Sequence, residues 1–107
     1  MSDSSSRIPP TRVEVADEAA ADVTEAGPAV QVRFHVAAGH HGKAVRADLV
    51  ARVFELPALH RHAALHATVP IGDTELIDQI GRRCDMIRVR AAGSTCLIDA
   101  DLHTAAR

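Results

Sequence analysis

From residue 29 onward the hydrophobic and polar positions follow two periods in turn. In AVQVRFHVA, Val30, Val32, Phe34 and Val36 fall on one side of an extended chain, and Gln31, Arg33 and His35 on the other. That period of two marks a half-buried strand. In GKAVRADLVARVFEL the period lengthens. Val45, Leu49, Val53 and Leu56 recur at helical spacing with Val50 and Phe54 beside them, and Asp48 and Arg52 form an i,i+4 pair on the outer face. Pro57 ends this helix, because proline disfavours helical geometry in the residue before it. HRHAALHATVP reads as a strand from about residue 64. Ala63, Leu65, Ala67 and Val69 point inward and His62, His66 and Thr68 outward, and the β-branched Thr68-Val69 before Pro70 favours extension. A helical reading of the same stretch would put His62 and His66 on one face.

Asp73 stands at the N-cap of a second helix, with Glu75 in its first turn and Arg82-Arg83 in its last; all three suit the helix dipole. Leu76, Ile77, Ile80 and Cys84 form its apolar stripe. MIRVRAAGSTCLIDADL then predicts a hairpin around Ala92-Gly93, with Ile87 and Val89 inward and Arg88 and Arg90 outward.

The first 28 residues differ. They are Ser-rich, then acidic and Ala-rich, with a short VEV alternation at 13–15 that suits an edge strand. The rest lacks the apolar content to offset the entropy of ordering it. The expected organisation is therefore a flexible, disordered tail over 1–28, ending at Gly27-Pro28, and a single small domain over 29–107. The predicted order is β-α-β-α-β-β, with the first crossover parallel and right-handed. One apolar face per strand and one stripe per helix give an α+β domain, a two-layer α/β sandwich: a four-stranded mixed sheet with two helices on one face. This succession also occurs in thioredoxin-like domains, but no CxxC is present and the order alone assigns no family.

Composition adds limits. A domain of this size buries only about 60% of the surface its unfolded chain exposes. With no Trp, no Tyr and only Phe34 and Phe54, the core must be aliphatic. A second copy would supply further buried surface, so a homodimer is expected. The net charge of −2 argues against nucleic-acid binding, which draws on excess positive charge. Protonating all seven histidines would carry it to +5, so surface charge changes most between about pH 7 and pH 5. There is no signal-peptide core and no apolar run near the ~20 residues that span a bilayer. Cys84 and Cys96 form no framework. A reducing cytoplasm, without membrane association, is the expected setting.

Three places could carry chemistry. The stretch VAAGHHGKAV joins a strand to a helix start, where free N–H groups gather anions. Gly39, His40, His41, Gly42 and Lys43 form this candidate phosphate or anion site, and Lys43 is the lone lysine. It departs from the P-loop pattern at Ala37 and Ala44, where a glycine and a hydroxyl are required. The second candidate is a Zn, Cu or Ni site. On a strand His62 and His66 stand about 13 Å apart, so a site needs His35 beside His62 or His66, plus a loop histidine. The expectation is no cofactor, with such a metal as the alternative. The third candidate is the polar sheet face: Arg33, His35, His62, His66, Thr68, Arg88 and Arg90, with Asp99 near them. Such a face suits an acidic protein, a small anionic ligand or a second subunit, but it lacks the aromatics on which nucleic-acid bases stack.

Cys84 and Cys96 read as small buried thiols, and Asp99 and Asp101 as solvated carboxylates. With no catalytic constellation in view, the sequence reads as a non-enzymatic cytoplasmic binding or protein-interaction module. It would work through the polar sheet face and the loop after the first strand. The alternatives are a small enzyme or carrier using the anion site and a His-rich metal-binding protein.

Overall fold

The alternating strand around Phe34 lies near the middle of a sheet larger than its neighbours in sequence suggest. The computed structural model describes residues 11–16, 18–37 and 43–102. These residues form strands β1 (Thr11–Val15), β2 (Ala19–Ala26) and β3 (Ala29–Val36), helices α1 (Lys43–Phe54) and α2 (Pro57–Arg61), strand β4 (Ala64–Pro70), helix α3 (Thr74–Gly81), and strands β5 (Cys84–Ala92) and β6 (Thr95–Leu102). All six strands join one mixed sheet in the order β1-β2-β3-β4-β6-β5. β3 and β4 pair in parallel and every other neighbouring pair is antiparallel.

This corrects the expected four-stranded sheet with two helices. Residues 11–26, expected within a disordered tail, supply β1 and β2. Ala19, Ala20, Ala21 and Val23 are buried there. Alanines give little apolar signal one by one. Beside the strongly alternating β3, they close-pack and complete its hydrogen-bond ladder. Gly27, read as the end of a tail, instead takes φ 63° in the tight turn joining β2 to β3. The third helix is α2. Pro57 does stop α1, but it also opens α2, where its missing N–H costs nothing.

The core is aliphatic. Val30, Val32 and Phe34 of β3, Leu65, Ala67 and Val69 of β4, and Ile98 of β6 meet Leu49, Val50 and Val53 of α1 and Leu76 and Ile80 of α3. α1 lies over β1 and β2, α3 approaches β5, and the two helices touch each other. Arg83 sits over the Phe54 ring at 6.0 Å, tying the end of α3 to the end of α1. Two inward assignments need correction. Ile87 and Val89 share a sheet side with the buried Ala100 and Ile98, yet they stay 37% and 43% exposed because β5 is an edge strand that α3 covers only in part. Cys84 begins β5 rather than extending the stripe of α3.

Candidate functional site

The parallel pairing of β3 with β4 runs from Ala29↔Ala64 to Arg33↔Thr68 and stops. Both strands continue, β3 to Val36 and β4 to Pro70, each still paired on its outer side. Between them lies a cleft of about 590 Å³ lined by Arg33, Phe34, His35, Val36, Thr68 and Pro70, with Ser94, Thr95 and Leu97 from the β5–β6 side. Its place at the carboxyl ends of parallel strands is where open α/β sheets take ligands. From here β3 leads into the start of α1 and β4 into the start of α3.

A second cavity, of about 500 Å³, adjoins the cleft on the sheet face away from the helices. The strand register sorts its side chains into rows. One row runs Arg12, Asp22, Arg33, Thr68, Leu97, Arg90; the next runs Thr24, Gln31, His66, Asp99, Arg88. Arg33, Thr68 and Leu97 line both cavities and join them.

Register places Arg33, His35, His66, Thr68, Arg88 and Arg90 on one side of the sheet, and this side differs from the expected polar face in two ways. His62 does not belong to it. It follows α2, its Nε2 lies 2.7 Å from Glu25 Oε1, and Arg61 binds the other oxygen of the same carboxylate. Glu25 pairs in register with the buried Val30, so this group sits on the helix side. Second, the face is not simply cationic. Arg12, Arg33, Arg88 and Arg90 share it with Glu14, Asp22, Asp99 and Asp101. Asp22 was missed because it lies in the stretch expected to be disordered; the VEV alternation before it was the one available signal.

The hydrogen bonds separate used groups from unused ones. Asp22 accepts from Arg12 at 2.9 Å and lies 3.2 Å from His35 Nε2. Burial pushes its carboxyl pKa up, but the bonds and charges of Arg12 and then His35 together hold it below its ordinary value. Arg12 is held above its ordinary value, first by its bond to Glu14 and then by Asp22. His66 Nδ1 lies 2.7 Å from Asp99 Oδ1. A carboxylate only accepts, so Nδ1 donates in this contact and Nε2 stays outside it. Arg33, Arg88 and Arg90 make no hydrogen bond or ion pair among the described residues.

The metal candidate does not assemble. Register places His66 opposite Gln31, not His35, so the two histidines are offset by about 13 Å along the strands. His62 is on the other side of the sheet. Among the described residues no three His, Cys, Asp or Glu side chains gather to hold a metal ion. Of the anion-site candidates, Gly39, His40, His41 and Gly42 lie outside the described residues, and Lys43 is the exposed first residue of α1.

No protein-family model and no curated protein matches the sequence. The fold does have counterparts among solved structures. One is a "putative acetyltransferase" from Sphaerobacter thermophilus, 13% identical, with a TM-score of 0.54 over 83% of this chain and 58% of that one. Another is yncA from Salmonella typhimurium, described as a "putative acetyltransferase" with its cofactor acetyl-CoA, 15% identical, with a TM-score of 0.52 over 79% of this chain and 57% of that one. The chain thus spans less than three-fifths of either structure. This likeness overturns the reading of a non-enzymatic binding module. No helix among the described residues is long and apolar enough to cross a membrane.

Proposed function

We propose that this chain binds acetyl-CoA in the cleft between β3 and β4 and transfers the acetyl group to a small acceptor. The observation that carries the reading is the early end of the β3–β4 ladder at Arg33 and Thr68 while both strands run on. A strand that loses its neighbour exposes backbone hydrogen-bonding groups, and an extended ligand can take the missing strand's place. The arm of acetyl-CoA is extended and carries two amides, so it suits that gap. Pro70, Leu97 and Val36 offer apolar contact along it, and Ser94 and Thr95 stand at its rim.

When bound, acetyl-CoA supplies a thioester, so that an acceptor exchanges its N–H or O–H proton for the acetyl group as the C–S bond breaks and the CoA thiol is released. The protein's part is positioning. The divergent strands hold the donor, and the shared residues Arg33, Thr68 and Leu97 mark the passage to the adjoining cavity. The likeness to two acetyltransferase structures supports this reading, one of them described with acetyl-CoA. The two free buried thiols keep a reducing cytoplasm as the proposed compartment.

Isothermal titration of acetyl-CoA into the full chain tests the proposal. The expected result is saturable one-to-one binding, reduced at least tenfold by Thr68→Trp, which fills the passage from a half-exposed position. Leu97→Trp serves as the second variant, and circular dichroism checks that each is folded. Absence of any binding heat up to 1 mM acetyl-CoA would overturn the reading.

A further inference from the structure

We infer that the cavity adjoining the cleft is the acceptor subsite, and that it selects a small amine carrying a carboxylate, held by Arg33 and Arg90. The inference rests on the acetyl-transfer reading, but its evidence is separate. Arg33 and Arg90 stand in one row with Thr68 and Leu97 between them. Three strand spacings put their Cα atoms about 14 Å apart, so two long side chains can reach over the Thr68–Leu97 saddle from both ends. Both line the cavity, and both are without a partner among the described residues. The carboxylates beside them are already engaged: Asp22 accepts from Arg12, and Asp99 accepts from His66. Of the charged side chains lining this cavity, those left without a partner are thus the two guanidinium groups, beside the neutral Thr24, Gln31 and Thr68, and a guanidinium pairs best with a carboxylate through two parallel bonds.

The same cavity holds a group suited to the reacting end of such a molecule. His66 lies one row from Arg33 and lines the cavity. With Nδ1 turned to Asp99, the neutral form of the ring presents Nε2 to accept the proton that an amine loses as its bond to the acetyl carbon forms. A ligand anchored by its carboxylate at the arginine row would have its amine within one row of that nitrogen. The donor cleft opens at the other end of the same passage, through Thr68.

The test compares acceptors that differ only in the carboxylate. L-phenylalanine, L-leucine and L-lysine are each titrated into the full chain beside the amine left on decarboxylation: phenethylamine, 3-methylbutylamine and cadaverine. Backbone amide shifts in ¹⁵N-labelled protein report binding without acetyl-CoA. The expected result is that at least one amino acid binds about tenfold more tightly than its amine, the scale of a lost charge-assisted contact. Arg90→Ala and Arg33→Ala should abolish that preference, whereas Arg82→Ala, which removes a positive charge from the end of α3, should preserve it. Arg90→Ala should leave the acetyl-CoA affinity within twofold. No preference for any amino acid in the wild-type chain, or a preference that survives both cavity variants, overturns the inference even if acetyl-CoA binds. If the preference is found but acetyl-CoA does not bind, the acetyl-transfer reading fails and the acceptor role falls with it.

Discussion

The Cys84 thiol is buried at the start of β5. Burial first, and then the charges of Asp85 and Asp101, push its pKa up to about 11. A thiol held there is almost wholly protonated at pH 8, and the thiolate is the reactive form. Iodoacetamide at pH 8 should therefore leave Cys84 unmodified in the folded chain while labelling it readily in urea, as peptide mass spectrometry would show. Other residues also owe their character to place. The alternation of Ile87 and Val89 was legible, and so was their side of the sheet. Their exposure was not, because it depends on β5 being an edge that α3 covers only in part. His62 and His66 look equivalent in the sequence. One ends beside Glu25 on the helix side and the other beside Asp99 on the open face, because β4 begins only at Ala64.

At the scale of elements, Asp73 joins two helices. Its carboxylate accepts from the Leu76 N–H at the start of α3 and from Arg46 Nε of α1 at 2.9 Å. The pair is mostly buried, with 7% of the Asp73 side chain and 16% of the Arg46 side chain exposed. Asp73→Ala removes both the cap and the carboxylate partner of Arg46, and should cost about 2 kcal/mol. Asp73→Asn should recover part of that by keeping the cap. Urea unfolding of the two variants checks both values. The cap was readable because Asp precedes an apolar stripe at helical spacing; the bond from Arg46, 27 residues earlier in the chain, was not. Strong patterns likewise revealed α1, α3, β3, β4 and the β5–β6 hairpin. β1 was marked only by the VEV alternation at 13–15, and β2 escaped because Ala-rich, acidic segments have weak strand preference; pairing with β3 on one side and β1 on the other makes it a strand. α2 escaped because Pro57 was taken solely as a stop signal, whereas proline also suits a first helical turn.

For the molecule as a whole, acid is the expected weakness. Glu25 is held below its ordinary 4.5, first by its bond with His62 and then by that with Arg61, and so fastens α2 to β2. Asp22 is likewise held below its ordinary 3.8, burial opposing and Arg12 and His35 prevailing. A carboxyl whose folded pKa is depressed contributes stability above its unfolded pKa and loses it as pH falls through the folded value. The urea midpoint should therefore drop as pH is lowered from about 4.5 downward. Glu25→Gln and Asp22→Asn should each flatten that fall, as unfolding curves between pH 6 and pH 3 would show.

The division between sequence and structure follows from the range of the forces involved. Periodicity along the chain by itself determined which segments extend or coil from residue 29 onward, which of their faces is oily, and that Arg33, His66, Thr68, Arg88 and Arg90 would share a polar side. Those are local properties, set by neighbours two to four positions away. Only the tertiary structure decided that two more strands complete the sheet, that the β3–β4 ladder stops at Arg33 and Thr68, and that Asp22 and Asp99 are already engaged while Arg33 and Arg90 are not. Each of these depends on strand register and on contacts between residues far apart in the chain, which no local pattern of side chains encodes.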